Sequence, residues 1–306
     1  MNSTHDIIAI AARHGLLLNG KIQFNEMGLD FRVGFASDSE GRSWVLRLPR
    51  RDGLQPVIER EARILDFVRS RLPVQVPEWQ ICEPDLVAYP LLTDPMALTF
   101  DSDTYEVSWN INQDSSLYIT SLAKVLVALH AAPSDAAAAA GIPVHTPEQV
   151  RKQLHHDMQV VKREIGISPS LEDRCLRWLD NDTLWPDYSV LVHGDLYAGH
   201  VTAASNGQIT GVIDWTEAVV SDPSIDFSGH LSAFSHESLE QLIAAYEHAG
   251  GRVWPGMTEH IAERHAIASP IRYGLFALTP GNGEHIAAVK SQLGVSFSYD
   301  SKVKPS

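Results

Sequence analysis

Residues 189–215 read SVLVHGDLYAGHVTAASNGQITGVIDW. A short apolar run (Val190, Leu191, Val192) delivers His193-Gly194-Asp195, and a turn-rich segment then carries His200 five positions after Asp195. A second apolar run, Ile209 to Ile213, delivers Asp214. Three polar side chains therefore stand at the ends of short hydrophobic strands. Phosphoryl transfer needs such a layout: one carboxylate beside the attacking hydroxyl, and two ligands for a metal on the phosphates. A plain β-hairpin with turn aspartates and a core histidine would not require this spacing.

Protein kinases keep the same order: a catalytic-loop Asp, an Asn five residues later, and a metal-binding Asp further on. The chain here resembles the antibiotic phosphotransferases, which share the fold of the eukaryotic-type protein kinases. Within them it most resembles the macrolide 2'-phosphotransferases. HGDLYAGH, IDW, WPDYS, GGRVW and HIAERHA carry the resemblance, which runs from about Gly15 to Leu293. His200 departs from the wider kinase pattern, where Asn is usual, and is similar to the macrolide enzymes in that respect. The resemblance implies a bilobal α+β fold. Residues 1–91 would form a nucleotide-binding lobe, an antiparallel sheet plus a helix, and residues 92–306 a larger, mainly helical catalytic and substrate-binding lobe. It also implies transfer of the γ-phosphate of GTP (or ATP) to the 2'-hydroxyl of the desosamine sugar of macrolide antibiotics, which confers resistance.

Bulk properties narrow the choices. At 306 residues the chain is longer than most single domains, and 44% hydrophobic with 20% charged residues describes an ordinary soluble protein. The absence of a long apolar run or a basic leader ahead of an apolar core predicts no membrane partner and a cytoplasmic location. Cys82 and Cys175 fit no metal or redox spacing and read as isolated thiols. The net charge is −14: residues 1–90 carry 11 basic and 12 acidic groups, so the excess lies beyond them. That balance argues against a nucleic-acid partner. An acidic C-terminal part would attract a cationic substrate, although acidity also serves solubility alone. A monomer is expected.

Along the chain, helical spacing predicts a first helix over 7–18 with Thr4 as cap, then strands at IQF, DFRVGFA and SWVLRLP. The loop Asn25 to Asp30 would lie over nucleotide phosphates, but it holds one glycine, so that assignment rests on chain order and resemblance. Arg47 occupies the place of the kinase phosphate lysine, and its planar fork suits two phosphate oxygens. A helix from Pro56 to about Arg71 carries Glu59 and Glu61. Glu61, in REARIL, matches the family's partner for that cation; a solvated helix face is the plainer alternative. Strands over 79–82 and 86–89 lead to the place of the kinase hinge, whose backbone, at Ala88, Tyr89 and Leu91, would meet the base; Ile213 is a further nucleotide-binding candidate. Backbone contacts leave GTP and ATP unseparated by chemistry; the resemblance implies GTP.

Residues 93–115 are polar and aperiodic and read as an insertion after the hinge. The remainder reads as helices, with Asp226, in DPSID, expected to buttress the catalytic loop or cap a helix, and His130 expected to be structural. A helix is expected over 258–278, and 296–306 read as a loose tail. In the implied mechanism Asp195 accepts or aligns the substrate hydroxyl proton, His200 and Asp214 hold Mg²⁺, and Arg47 grips phosphates. Magnesium prefers oxygen ligands, so a histidine there is the weak point. Phe234, Tyr273, Phe276 and Leu278 are candidates for an apolar substrate floor, against the commoner reading of such residues as core. Two other classes stay open: another small-molecule kinase of this fold (for an aminoglycoside, choline or a sugar), and a nucleotide-binding pseudokinase.

Overall fold

A computed structural model of the chain describes residues 3–26, 28, 30–101, 104, 106–279 and 281–295. Met27 and Leu29 of the expected phosphate loop, and the expected tail 296–306, lie outside the described residues.

The chain opens with helix α1 (Thr4–Arg13), whose cap is Ser3 rather than Thr4. The Ser3 hydroxyl accepts from the Asp6 N–H while the Asp6 carboxylate reaches back to the Ser3 N–H, which satisfies two otherwise orphaned donors. Strands β1 (Leu18–Asn25), β2 (Phe31–Asp38) and β3 (Ser43–Pro49), helix α2 (Gln55–Arg69), and strands β4 (Ile81–Glu83) and β5 (Leu86–Pro90) follow. They build an antiparallel five-stranded sheet in the order β1-β2-β3-β5-β4. Alternation along β3 decides what each face holds. Trp44, Leu46 and Leu48 pack with Ile7, Ile10 and Ala11 of α1, whereas Val45 packs with Leu54, Ile58, Val87 and Tyr89. Arg47 shares the second face.

Residues 93–115 are less irregular than expected. Strands β6 (Leu98–Phe100) and β7 (Val107–Trp109) pair as a hairpin, followed by α3 (Ser116–His130) and α4 (Ser134–Ala139). Next come α5 (Pro147–Glu164) and α6 (Pro169–Asp180), both with Pro in the first turn. Strand β8 (Val190–Val192), a short 3₁₀ turn (Ala198–His200), β9 (Val201–Ala203), β10 (Ile209–Val212), β11 (Val219–Ser221), α7 (Ser224–Leu231) and α8 (His236–His248) complete the central part. The helix expected over 258–278 is α9 (Met257–Glu263) joined to α10 (Ser269–Leu278) through a π-helical turn, Arg264–Ala268. Helix α11 (Ile286–Gln292) follows.

The fold is thus α+β: an antiparallel sheet with its helices, then a mainly helical remainder. Two compact units are present, Met1–Val144 with Val190–Arg252, and His145–Ser189 with Val253–Ser306. The second has its own core, with Met158, Val161, Trp178, Ile267, Ile271 and Val289 at its centre. No helix among the described residues is long and apolar enough to cross a membrane.

Candidate active site

Buried strand β8 pairs antiparallel with β11 and ends at His193. Gly194 then turns with φ 89°, and a Cβ there would stand 2.4 Å from the Glu217 carbonyl oxygen, so only glycine fits. Gly229 of α7 is similarly tight: a Cβ would come within 1.9 Å of the Leu196 carbonyl oxygen, which seats α7 directly against the loop.

His193 is fully buried and works as a brace. Its Nε2–H donates to the Ile213 carbonyl at 2.8 Å, and its Nδ1 accepts the Asp195 N–H at 3.2 Å. Burial holds its imidazole below the ordinary histidine range and so in the neutral form this pattern needs. Asp226 buttresses the same loop: its carboxylate accepts the N–H of His193 at 2.9 Å and of Gly194 at 3.0 Å. Behind it, His130 Nε2 lies 3.4 Å from Asp226 Oδ2 and Nδ1 lies 2.9 Å from the Tyr246 hydroxyl. His130 is therefore structural, as expected.

The braced loop presents Asp195 half-exposed, whereas His200 is only 14% exposed. His200 Nδ1–H donates to the Asp195 carbonyl at 2.8 Å, which leaves Nε2 as the lone-pair nitrogen. That Nε2 stands 3.6 Å from Asp214 Oδ2, and the ring packs edge-on against Tyr197 at 4.5 Å. Asp214 follows β10, which pairs with β9, and the Ile213 N–H donates to the His200 carbonyl. Asp214 has φ 62°, the one positive φ outside glycine among the described residues. Such a backbone costs on the order of 1 kcal/mol, and strain of this kind concentrates at functional sites. Among the described residues no three His, Cys, Asp or Glu side chains gather as a metal cage. Asp214 Oδ2 and His200 Nε2 instead offer two donors, which fits a cation that takes its other ligands from phosphate and water.

Arg47 Nη1 donates to Glu61 Oε1 at 2.7 Å, in a pair that is nearly sealed from solvent. The guanidinium lies over Phe31 at 4.4 Å and Trp79 at 5.5 Å. Burial alone would lower its pKa, but the charge and hydrogen bond of Glu61 outweigh it and raise the value, so the cation persists. The other Glu61 oxygen accepts from Thr216 Oγ1 at 2.9 Å, and Thr216 also reaches Asp214 Oδ1 at 3.3 Å. The strand cation, the helix Glu, and Asp214 are thus one connected set.

The hinge candidates are placed differently from one another. Tyr89 shares the Arg47 face of the sheet, and burial raises the pKa of its phenol. Ala88 is turned into the opposite core against α1, with its carbonyl accepting from the Gln80 N–H. The Leu91 N–H donates to Ser43 O, and its side chain is exposed. Phe234 sits in the first unit, stacked on His230 at 4.3 Å and edge-on to Trp109 at 5.0 Å. Tyr273, Phe276 and Leu278 belong to the second unit, where the Tyr273 hydroxyl lies 2.9 Å from His285 Nδ1 and the Phe276 ring stacks on Tyr273. Sequence reasoning missed Thr216 and Trp109. Thr216 stands two residues past Asp214, a position whose side chain can return to the same carboxylate, and that spacing was the available signal.

Known proteins resemble the chain in sequence and fold. Residues 21–260 match the phosphotransferase enzyme family. The Bacillus subtilis (strain 168) protein YcbJ, named as uncharacterized, is 38% identical over 294 residues, covering 95% of this chain and 96% of its own. A solved macrolide 2'-phosphotransferase type I superposes with a TM-score of 0.90 at 46% identity, over 95% of this chain and 96% of that one. The apoenzyme of macrolide 2'-phosphotransferase MphH from Brachybacterium faecium gives 0.88 at 41% identity, over 96% and 98%. The GDP and kanamycin complex of APH(2'')-IIia, at 19% identity and a TM-score of 0.76 over 95% and 98%, shares the fold.

Proposed function

The chain belongs to the phosphotransferase enzyme family, and on that premise we propose that it moves the γ-phosphate of GTP to the 2'-hydroxyl of the desosamine sugar of a macrolide, as a resistance enzyme. Asp195 accepts or aligns the hydroxyl proton, half-exposed on a loop whose backbone is held by His193 and Asp226. Arg47, kept charged and aimed by Glu61, orients the nucleotide phosphates. Asp214 Oδ2 and His200 Nε2 would hold Mg²⁺, which when bound neutralises phosphate charge. Residues 1–91 serve the nucleotide and residues 92–306 the catalytic and acceptor groups; the N-terminal sheet ends with β5 at Pro90, which supports that division. GTP as donor is supported by the sequence resemblance. In this reading the enzyme acts as a cytoplasmic monomer.

The observation that carries the reading is the convergence of Asp195, His200 and Asp214, with 3.6 Å from His200 Nδ1 to Asp195 Oδ2 and 3.6 Å from Nε2 to Asp214 Oδ2. The hairpin supports a large apolar acceptor over an aminoglycoside. Leu98 opposes Trp109 and Phe100 opposes Val107, so these four share one face. Strand β6 runs beside the turn that carries His200, and the Ala97 N–H donates to the Val201 carbonyl.

The test incubates pure protein with Mg²⁺, GTP or ATP, and erythromycin or kanamycin, followed by mass spectrometry. A macrolide gaining about 80 Da, one phosphoryl group, faster with GTP, is expected. Phosphorylated kanamycin with unmodified erythromycin would sink the substrate assignment.

A further inference from the structure

We propose that Thr216 is a positioning residue that couples the cation-holding carboxylate to the phosphate-gripping ion pair through one shared hydroxyl proton. The inference rests on the reading that Arg47 and Asp214 serve the nucleotide.

A threonine hydroxyl has one proton to give. Here two carboxylates compete for it: Glu61 Oε2 at 2.9 Å and Asp214 Oδ1 at 3.3 Å. The remaining oxygen of each acid faces a different neighbour. Glu61 Oε1 takes Arg47 Nη1 at 2.7 Å, and Asp214 Oδ2 faces His200 Nε2 at 3.6 Å. A continuous line therefore runs Arg47, Glu61, Thr216, Asp214, His200. Anchoring Oδ1 fixes the rotation of the Asp214 carboxylate and so directs Oδ2 to the side where His200 Nε2 stands.

The same sharing makes the two ends interdependent. With Asp214 Oδ2 engaged by a divalent cation, Oδ1 would be the weaker acceptor of the two carboxylate oxygens facing Thr216. The Thr216 hydroxyl, keeping its proton, would then donate wholly to the nearer Glu61 Oε2 and so steady Glu61 and, through it, Arg47. By reciprocity, nucleotide seated on Arg47 favours the cation-ready Asp214. Protein kinases carry glycine two residues after the metal-binding Asp, in Asp-Phe-Gly, where no side chain can do this. The β-branched Thr216 side chain has few rotamers and is suited to holding one such bridge.

The experiment uses the full chain and needs no acceptor. A fluorescent GTP analogue is titrated into wild type, Thr216→Val and Thr216→Ser, once in EDTA and once in excess Mg²⁺, and the ratio of the two dissociation constants is read. Wild type and Thr216→Ser should share a clear tightening by Mg²⁺. Thr216→Val, isosteric but without the hydroxyl, should lose at least about fivefold of it, the lower end of typical coupling, with its EDTA affinity within about twofold of wild type. Retention of the full tightening in Thr216→Val overturns the proposal. So does an equal loss of affinity in EDTA, which marks a merely structural role, or the absence of any Mg²⁺ effect in wild type. If Thr216→Val does not fold, Thr216→Ala is read by the same criteria. Coupling lost in the variant, alongside a wild type that phosphorylates no macrolide, would remove the substrate assignment and leave the coupling standing.

Discussion

Asp226 Oδ2 accepts the main-chain N–H of His193 at 2.9 Å, with both residues buried. That single bond, with its twin from Gly194, fixes the backbone on which Asp195 rides. Asp226→Asn replaces one accepting oxygen with a donor facing an N–H. The buried group left unpaired should cost about 1–3 kcal/mol of stability, read by urea unfolding. The same variant should lower kcat more than it raises the KM for nucleotide, because the displaced loop carries Asp195 and not Arg47, the residue proposed to meet the phosphates.

The Arg47–Glu61 pair makes a second expectation. Glu61 is 1% exposed. Glu61→Ala leaves a guanidinium buried without its counter-charge, and removal of one partner of such a pair costs roughly 3–5 kcal/mol. Arg47→Lys keeps the charge but gives up the flat contact on Phe31 and the forked donors. It should fold near wild-type stability and bind nucleotide about tenfold more weakly, as an amount set by losing one or two charge-assisted hydrogen bonds. Calorimetry of unfolding and of nucleotide binding separates the two variants.

Asp195→Asn should lower kcat by about 10²–10⁴, the range general-base groups supply, while nucleotide affinity stays within about twofold, since the role proposed for Asp195 lies on the acceptor side of the transfer. A rapid-quench assay checks the first and equilibrium titration the second. Near-normal turnover would remove Asp195 from its role.

Phe100 and Val107 are 39% and 53% exposed on the shared face of the hairpin. Replacing either with Ser should raise the KM for a macrolide about tenfold, as partial burial of a side chain worth about 1.5–3 kcal/mol when fully covered would give, and leave the KM for GTP unchanged. Equal effects on both substrates would show that the hairpin face does not meet the acceptor.

His230 brings a pH dependence. It is 2% exposed, its Nδ1 has no hydrogen-bond partner among the described residues, and burial pulls its imidazole down to about 4 from 6.5. Between those values the unfolded chain binds a proton that the folded chain refuses, so stability falls as pH drops from 6.5 toward 4. The loss amounts to roughly 3 kcal/mol at most. Above pH 6.5 both states are neutral and the effect vanishes. Denaturation at pH 7.5 and pH 5.0 should show a smaller loss in His230→Gln than in wild type.

What was readable in the sequence follows from where each constraint lives. Asp195, His200 and Asp214 were visible because their spacing is local and because Asp195 and Asp214 each come after an apolar run. Arg47 and Glu61 were visible through order along the chain, and the structure pairs them. The β6–β7 hairpin escaped because its strands are only 3 residues each, too short for alternation to show. The cap of α1 fell on Ser3 because its partner Asp6 stands three residues on, a pairing that Thr4 lacks. Ala88 could not be assigned to a face until the register of β5 against β3 was known, since a shift of one residue reverses every side chain. Thr216 was missed because its meaning depends on Glu61, which lies far away in sequence.

The interleaving of the two units sets a timetable for synthesis. Helix α3 buries Tyr118, Ile119, Leu122, Val125, Leu126 and Leu129, and it packs against α8. On the ribosome α8 emerges on the order of a hundred residues after α3, with 145–189 of the other unit made in between. At about 5–20 residues per second this is roughly 5–20 s. During that interval the nascent chain carries an uncovered apolar helix and a β8 still waiting for β11. Codon choice and chaperone supply across 130–250 are therefore the levers on yield, independent of any change to the finished enzyme.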